Sequence, residues 1–373
     1  MTPDEVLMAQ AIELARCAKP SPNPRVGSLF VRDGEIIGKG FHKRAGSAHA
    51  EIAALESAGE RAKGATVYVT LEPCNHHGRT APCTEALIAA QVARVVIGVA
   101  DPNPNVLGRG TDRLREAGIE VVMGVSQREC AELIASWRTF VLRGTPRVIV
   151  KVGMTLDGRI ATRLRESKWI TGPEARHDGH LLRARADAVL VGVGTVLADD
   201  PMLTPRNVDI VGALPVRVVL DTFLRTPTSS VLAKTAMEAP VWILHGKEAP
   251  RDQVIALRAM GVETLEVRCS EDRVDPAEAL VVLGRRGITE LLVEGGGEVH
   301  GTFLDARLGD ELVAYIAPKL FGGRDAFAAF GGTGIGRLSE AHLLANLQAQ
   351  MIGSDLKVTA EFTDVHRDYH SDR

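Results

Sequence analysis

A chain of 373 residues, 45% hydrophobic and 24% charged, is too long for one compact core and comfortable for two. Its net charge of -3 supplies no global field toward nucleic acid or a membrane, so an anionic ligand must be held by local Arg, Lys or backbone N–H groups. The five cysteines, Cys17, Cys74, Cys83, Cys130 and Cys269, are scattered and odd in number, which argues against a disulfide framework. No apolar run approaches the ~20 residues that span a bilayer, and the N-terminus lacks a signal-like core, so a cytoplasmic protein with reduced thiols is expected.

Residues 4–19 read as an amphipathic helix ended by Pro20-Ser21-Pro22-Asn23-Pro24. Val26–Arg32 and Glu35–Gly40 are short strands around Asp33-Gly34, a hairpin signal. Then come a helix over His49–Ala62, a strand over Ala65–Leu71, a helix over Cys83–Gln91 and a strand over Val95–Val99. A helix over Gly108–Ala117 and a strand over Glu120–Met123 complete the order β-β-α-β-α-β-α-β, which predicts a three-layer α/β domain. The break falls near Arg143-Gly144-Thr145-Pro146, dividing the chain into domains 1–145 and 146–373. Beyond it, Arg147–Gly153, Ala188–Val193, Val216–Leu220, Val241–Leu244, Glu290–Val293 and Glu311–Ile316 read as strands. Glu174–Ala186, Arg251–Met260 and Pro276–Arg285 read as helices between them, and the final HRDYHSDR is polar and expected to be loose.

The strongest chemical signal is His49-Ala50-Glu51 followed by Pro73-Cys74 and Cys83. One imidazole and two thiolates suit zinc, whose catalytic sites keep a fourth position for water. The bound water loses its proton near neutral pH and attacks a ring carbon that carries an amine. Glu51, two residues after His49 at a helix start, can reach from the same turn as general acid and base. Cys83 follows Pro82 at a helix N-terminus, where the thiolate is favoured. His76 or His77 could supply a fourth ligand to a purely structural zinc, but Glu51 would then lack a purpose. The second cysteine comes nine residues after the first, and zinc deaminases of nucleobases commonly space them by three. Asn75 to Pro82 therefore reads as a loop over a pocket mouth, where His76, His77, Arg79 and Thr80 donate to a ligand or only meet solvent.

In the second half, Glu294-Gly295-Gly296-Gly297 follows a strand and precedes a helix over Val299–Leu304. Glycines there let backbone N–H groups approach a phosphate, or simply make a tight turn. The dinucleotide fingerprint is not met, because His300 stands at its last position, and Gly192-Val193-Gly194 has Leu197 there. A standard Rossmann domain is disfavoured.

Several stretches are more specific together. Pro22-Asn23-Pro24-Arg25-Val26-Gly27, Gly40-Phe41-His42, His49-Ala50-Glu51, Thr70 to Thr80 and Asp101-Pro102-Asn103-Pro104 resemble the bifunctional riboflavin-biosynthesis deaminase–reductase family. Gly153 to Gly158, Ser167 to Thr171, Thr195 to Pro201 and Glu294-Gly295-Gly296 resemble its reductase half, so the resemblance covers nearly the whole chain in order. It implies a cytidine-deaminase-like domain followed by a dihydrofolate-reductase-like domain. It implies two reactions: hydrolytic loss of the ring 2-amino group from a diaminopyrimidinone carrying a ribosylamino 5′-phosphate, then NADPH reduction of the ribosyl portion to ribityl. One zinc per deaminase domain, on His49, Cys74 and Cys83, is implied, with Asn23, His42, His76 and Arg79 binding substrate. Asn75 stands where Cys or Ser is common and is not expected to bind metal. Gly153, Trp169, Thr195, Asp199, Thr222 and Gly296 to Thr302, including Gly297, match NADPH-contacting positions. Ser167, Arg183, Leu203, Arg206 and Glu294 match substrate-contacting positions. Guanidinium binds phosphate bidentately, which suits Arg183 and Arg206; a solvated helix face and a loop charge are the alternatives. Core packing is the alternative for Trp169. Lys151 and Asp200 are candidates for handling the protons of ribose-ring opening. The expected partner is a small phosphorylated pyrimidine, not nucleic acid or membrane, and relatives suggest a homo-oligomer, dimer or tetramer.

Overall fold

The computed structural model describes residues 1–76, 81–103, 108–270 and 272–363; the terminal HRDYHSDR, His77, Arg79 and Thr80 lie outside them. The chain divides into two compact units, Met1–Leu142 and Arg143–Arg373.

In the first unit, α1 (Pro3–Arg16) starts at a capping box in which Thr2 and Glu5 satisfy each other's backbone N–H. There follow β1 (Gly27–Arg32), β2 (Glu35–Phe41), α2 (Ala50–Ala58), β3 (Thr66–Leu71), α3 (Cys83–Ala89), β4 (Arg94–Val99), α4 (Arg109–Glu116) and β5 (Glu120–Met123). The sheet order is β2-β1-β3-β4-β5, antiparallel across β2, β1 and β3 and parallel across β3, β4 and β5. Strand residues alternate between two cores, as the period of two demands. Phe30, Val67, Val69, Val95 and Ile97 pack with α2, α3 and α4, while Leu29, Val31, Tyr68 and Val96 pack with Met8, Ala11 and Ile12 of α1. These are the three layers expected. The helix expected over His49–Ala62 is α-helical only to Ala58; a 3₁₀ turn, Gly59–Ala62, completes it. Two helices absent from the sequence reading follow, α5 (Gln127–Leu133), which adds Cys130 to the α1 core, and α6 (Ala135–Arg143).

The second unit runs β6 (Arg147–Thr155), β7 (Arg159–Ala161), α7 (Pro173–Arg185), β8 (Ala188–Gly192), α8 (Val193–Asp199), β9 (Val216–Leu220), α9 (Val231–Lys234), β10 (Val241–His245), α10 (Arg251–Ala259) and β11 (Glu263–Glu266). It continues with β12 (Cys269–Ser270), β13 (Arg273–Val274), α11 (Pro276–Arg285), β14 (Glu290–Gly295), α12 (Gly297–Asp305), β15 (Glu311–Ala317), β16 (Phe327–Ala328), β17 (Leu344–Ile352) and β18 (Asp355–Phe362). A nine-stranded sheet has the order β11-β10-β9-β8-β14-β6-β15-β18-β17, parallel from β11 to β15 and antiparallel at β18 and β17. Its parallel core strands are apolar on both faces because helices cover both. Val189, Val191 and Leu292 meet α7, α8 and α9, while Leu190, Leu291 and Val293 meet α11 and α12. All six expected strands are present, and β11, β17 and β18 join them. Among the described residues no helix is long and apolar enough to cross a membrane.

Candidate functional site

Two regions collect the chemistry, one in each unit. In the first, β2 ends at Phe41 with His42 next in the chain, and α2 lies close enough against it to bring His49 and Glu51 inward. Gly40 permits that approach, since a Cβ there would collide with the backbone of Ala50 and Ala54. Cys74 follows β3, and Cys83 opens α3. His49 Nδ1 lies 3.3 Å from Cys83 Sγ and 3.6 Å from Cys74 Sγ, and the three donor atoms fall within 4.8 Å of one another. The Cys83 backbone N–H donates to Cys74 Sγ at 3.4 Å. One nitrogen and two sulfurs so gathered fit zinc, and no other described residue joins the group; His76 sits exposed at the cavity rim. A structural fourth ligand from His76 is therefore not supported. Asn75 is occupied otherwise, accepting from Thr84 Oγ1 at 2.8 Å and donating to Arg109 O at 3.2 Å.

Glu51 is 4% exposed and lines the same cavity, of about 300 Å³. Burial, reinforced by the charge of Cys74, pushes its carboxyl up to about 7. Hydrogen bonding from the Cys83 thiol, with help from His49, draws Cys74 down to about 4, although burial opposes it. Cys83 is pushed up by its hydrogen bond to Cys74 and by burial. His42 Nδ1 faces Ala48 O at 3.0 Å and so carries the proton, leaving Nε2 to accept from Asn23 Nδ2 at 3.0 Å. Its ring meets that of His49 edge-on, with centroids 5.4 Å apart.

Further residues line this cavity. Glu72, buried, accepts from the N–H groups of Asp101, Gly108 and Thr111 and from Thr111 Oγ1 at 2.9–3.2 Å. It thereby fixes the segment carrying Asp101 and Asn103, both of which line the cavity. The Asp101-Pro102-Asn103 turn after a strand was the signal that could have found them; nothing in the sequence pointed to Trp137 of α6, which also lines it.

In the second unit, a cavity of about 540 Å³ opens across the C-terminal ends of β9, β8 and β14. Ser167, Thr195, Asp199, Thr222, Gly296, Gly297 and Thr302, all expected at a site, line it. Gly192 and Gly194 line it too, so the two glycine clusters dismissed separately as incomplete fingerprints face one cavity from adjacent strands. Gly296 adopts φ 84, which glycine alone takes easily, and Thr195 Oγ1 donates to Gly295 O at 3.1 Å. The backbone N–H groups opening α12 suit a phosphate, and the donors along this wall fit a dinucleotide.

Beside it, along β6 and α7, lies a charged cluster. Arg183 makes a bidentate pair with Glu294 at 2.7 and 2.6 Å, with side chains 16% and 7% exposed. Arg183 is accordingly no solvated helix charge. Burial works to raise Glu294, yet Arg183 and Lys151 outweigh it and hold the carboxyl down to about 2. Burial lowers Lys151, and the carboxylates facing it are Glu294 and Asp178. Asp200 is not among them: it is exposed, and its Oδ1 accepts from Val231 N at 2.8 Å. Of the two candidates for handling protons, Lys151 thus stands in the charged cluster, while Asp200 secures the start of α9. His180, one turn before Arg183 on the same face of α7, was missed although its spacing of three marks it. Burial and the charges of Arg183 and Arg206 lower it to about 4, so it stays neutral among cations. Leu203 is buried with φ 59. Trp169 is 62% exposed, with the Arg176 guanidinium 4.7 Å over its ring, which excludes core packing; neither it nor Gly153, which faces Thr171, lines the cavity.

Residues 146–358 match the family described as the RibD C-terminal domain, and residues 1–99 match the cytidine and deoxycytidylate deaminase zinc-binding region. The chain is 42% identical over 367 residues to riboflavin biosynthesis protein RibD of Escherichia coli (strain K12), covering 95% of this chain and 98% of that one. It is 41% identical to the protein of that name from Aquifex aeolicus, covering 95% and 97%. Among solved structures, Acinetobacter baumannii RibD, form 1, is similar with a TM-score of 0.84 at 39% identity, covering 97% of this chain and 99% of that one. A diaminohydroxyphosphoribosylaminopyrimidine deaminase/5-amino-6-(5-phosphoribosylamino)uracil reductase from Thermotoga maritima is similar with a TM-score of 0.83 at 36% identity, covering 96% and 99%. The expected pairing of a cytidine-deaminase-like and a dihydrofolate-reductase-like α/β domain is the one found.

Proposed function

The chain belongs to the RibD family of riboflavin-biosynthesis deaminase–reductases, and from that membership we infer a two-step catalyst. Residues 1–145 hydrolyse the 2-amino group from 2,5-diamino-6-(5-phosphoribosylamino)pyrimidin-4-one, and residues 146–373 use NADPH to reduce the ribosyl group to ribityl. The observation that carries the first step is the gathering of His49, Cys74 and Cys83 in the cavity lined by buried Glu51.

His49 Nδ1 and the two sulfurs would hold one zinc, which would supply a Lewis acid that makes water nucleophilic near neutral pH. A carboxyl held up to about 7 can take a proton from that water and return it to the departing amine, so Glu51 serves as base and then acid. Water enters, ammonia leaves, and the ring carbon becomes a carbonyl. Asn23, His42 and His76 line the cavity around the pyrimidine, and Arg79 is assigned to the substrate with them.

Ser167, Thr195 and Gly296 line the cavity that would hold NADPH, which would supply the hydride. Gly153, Trp169, Asp199, Thr222, Gly297 and Thr302 are assigned to the cofactor as well. Arg183, Arg206, Leu203, Ser167 and Glu294 are assigned to the substrate, with Arg183 and Arg206 as clamps for its phosphate. Lys151 and Arg183, balanced by Glu294, with Arg206 facing His180, make this corner positive enough for an anion. Lys151, lowered by burial, protonates the ribose oxygen as the ring opens. The enzyme acts in the cytoplasm as a dimer or tetramer.

The test is incubation of purified protein with the diaminopyrimidinone phosphate, with and without NADPH, and identification of products by mass. Without NADPH the amine is exchanged for oxygen; with it, two hydrogens are added as well. Unchanged substrate under both conditions, in folded zinc-loaded protein, overturns the reading.

A further inference from the structure

The second-unit cavity has a direction. Its floor is the run of strand ends β9, β8, β14, and β6 stands next in the sheet. Strands lie ~4.8 Å apart, so β9 and β6 are separated by about 14 Å, a length that suits two nucleosides joined through a pyrophosphate. The glycines after β8 and β14 occupy the middle, where phosphates come closest to backbone. The substrate groups lie at the β6 end, with Lys151 on β6 and Glu294 on β14. Hydride transfer requires the nicotinamide at that end. The adenosine therefore lies at the β9 end.

Among the described residues, three arginines line the cavity. Arg165 belongs to the wall made by β7 and β16, where it stacks on Phe327 at 5.5 Å. Arg225 and Arg273 are at the β9 end. Arg225 follows Thr222 directly after β9, and Val274, next to Arg273, donates its N–H to Thr222 Oγ1 at 3.0 Å. Arg225 Nε stands 3.9 Å from Asp221 Oδ1, and Asp221 is fully buried. That carboxylate is turned inward, its Oδ2 accepting from Thr226 N at 2.7 Å and Thr226 Oγ1 at 2.8 Å. It cannot take a ribose 2′-hydroxyl, the usual device for choosing the unphosphorylated cofactor. It instead orients the guanidinium, which is 58% exposed toward the rim. Arg273 is similarly held, 3.1 Å from Glu298, and Asp272 shares that rim.

We propose that Arg225, with Arg273 beside it, binds the 2′-phosphate of NADPH and sets the preference for NADPH over NADH. The proposal rests on the reductase reading above. Guanidinium suits a phosphate dianion because it donates in a planar fork. The experiment is titration of the full chain with NADPH, NADH and adenosine 2′,5′-bisphosphate, followed by nicotinamide fluorescence and calorimetry. Arg225→Ala is expected to weaken NADPH and the bisphosphate roughly tenfold to a hundredfold and to leave NADH unchanged. Arg225→Lys should fall between, and Arg273→Ala should shift in the same direction. Equal weakening of NADPH and NADH, or undiminished NADPH binding in Arg225→Ala, overturns the proposal. A parent chain that binds both dinucleotides equally overturns it alone; one that binds neither overturns the reductase reading with it.

Discussion

Glu51 shows what a buried carboxylate at a helix start can do. The helix N-terminus and its own N–H favour the charged form, but burial dominates and the group stands near the pH at which it must both take and give a proton. Glu51→Gln keeps the size and removes the proton carrier. It should retain about one zinc per chain and lose ammonia release by about a thousandfold or more; metal analysis beside an ammonia assay checks this, and retained deamination would sink the shuttle. His49, Glu51, Cys74 and Cys83 were legible because metal chemistry restricts residue type so strongly. The hydrogen bond from the Cys83 backbone N–H to Cys74 Sγ was not, since it joins residues nine apart that only folding brings into contact. Asp200 failed for a related reason, because a carboxylate that caps a turn and one that moves a proton look alike in sequence. Glu294 offers a second test. Its folded value of about 2 lies below the ordinary 4.5, so the ion pair's stability is present above pH 4.5 and is lost as pH falls through 4.5 toward 2. Glu294→Gln strands Arg183 and should cost about 3 kcal/mol at neutral pH. Acid unfolding of the variant, followed by circular dichroism, should show a weaker pH dependence in that window than the parent.

At the scale of elements, the hairpin signal Asp33-Gly34 made β1 and β2 readable, and apolar runs did the same for β3, β4, β8, β9, β10 and β14. β17 and β18 escaped although both alternate, with Leu347, Ala349 and Met351 between glutamines and Leu356, Val358, Ala360 and Phe362 between polar residues; β17 exposes most of its residues, among them Leu347 and Met351. α8 escaped because the strand pattern of Ala188–Val193 runs up to Gly194, although the chain becomes helical from Val193. Gly40 is where element packing meets chemistry. It lets α2 press on β2, and α2 carries Glu51. Gly40→Ala should push the helix outward, cost roughly 1–3 kcal/mol, and lower both zinc retention and deamination. Wild-type zinc content and deaminase activity in that variant would show that the close approach does not position the site.

The whole molecule joins two compact units, each with its own cores and its own cavity. Each unit packs helices on both faces of its parallel strands and so has cores of its own. Chemistry follows the same division: the zinc-type ligands lie within residues 49–83, and the glycine-lined cavity lies wholly beyond residue 143. Damage to one centre should then leave the other working. Cys83→Ser removes a soft ligand, because a hydroxyl stays protonated where a thiol ionises. Deamination and zinc content should fall together in this variant. NADPH oxidation with the already deaminated intermediate should proceed as in the parent, since no residue of that cavity has changed. Supplied with the diaminopyrimidinone itself and NADPH, the variant should consume neither, and adding the deaminated intermediate should restore oxidation at once. If the folded variant lost both activities in equal proportion, the reduction would depend on the zinc unit, and the assignment of one reaction to each unit would be wrong.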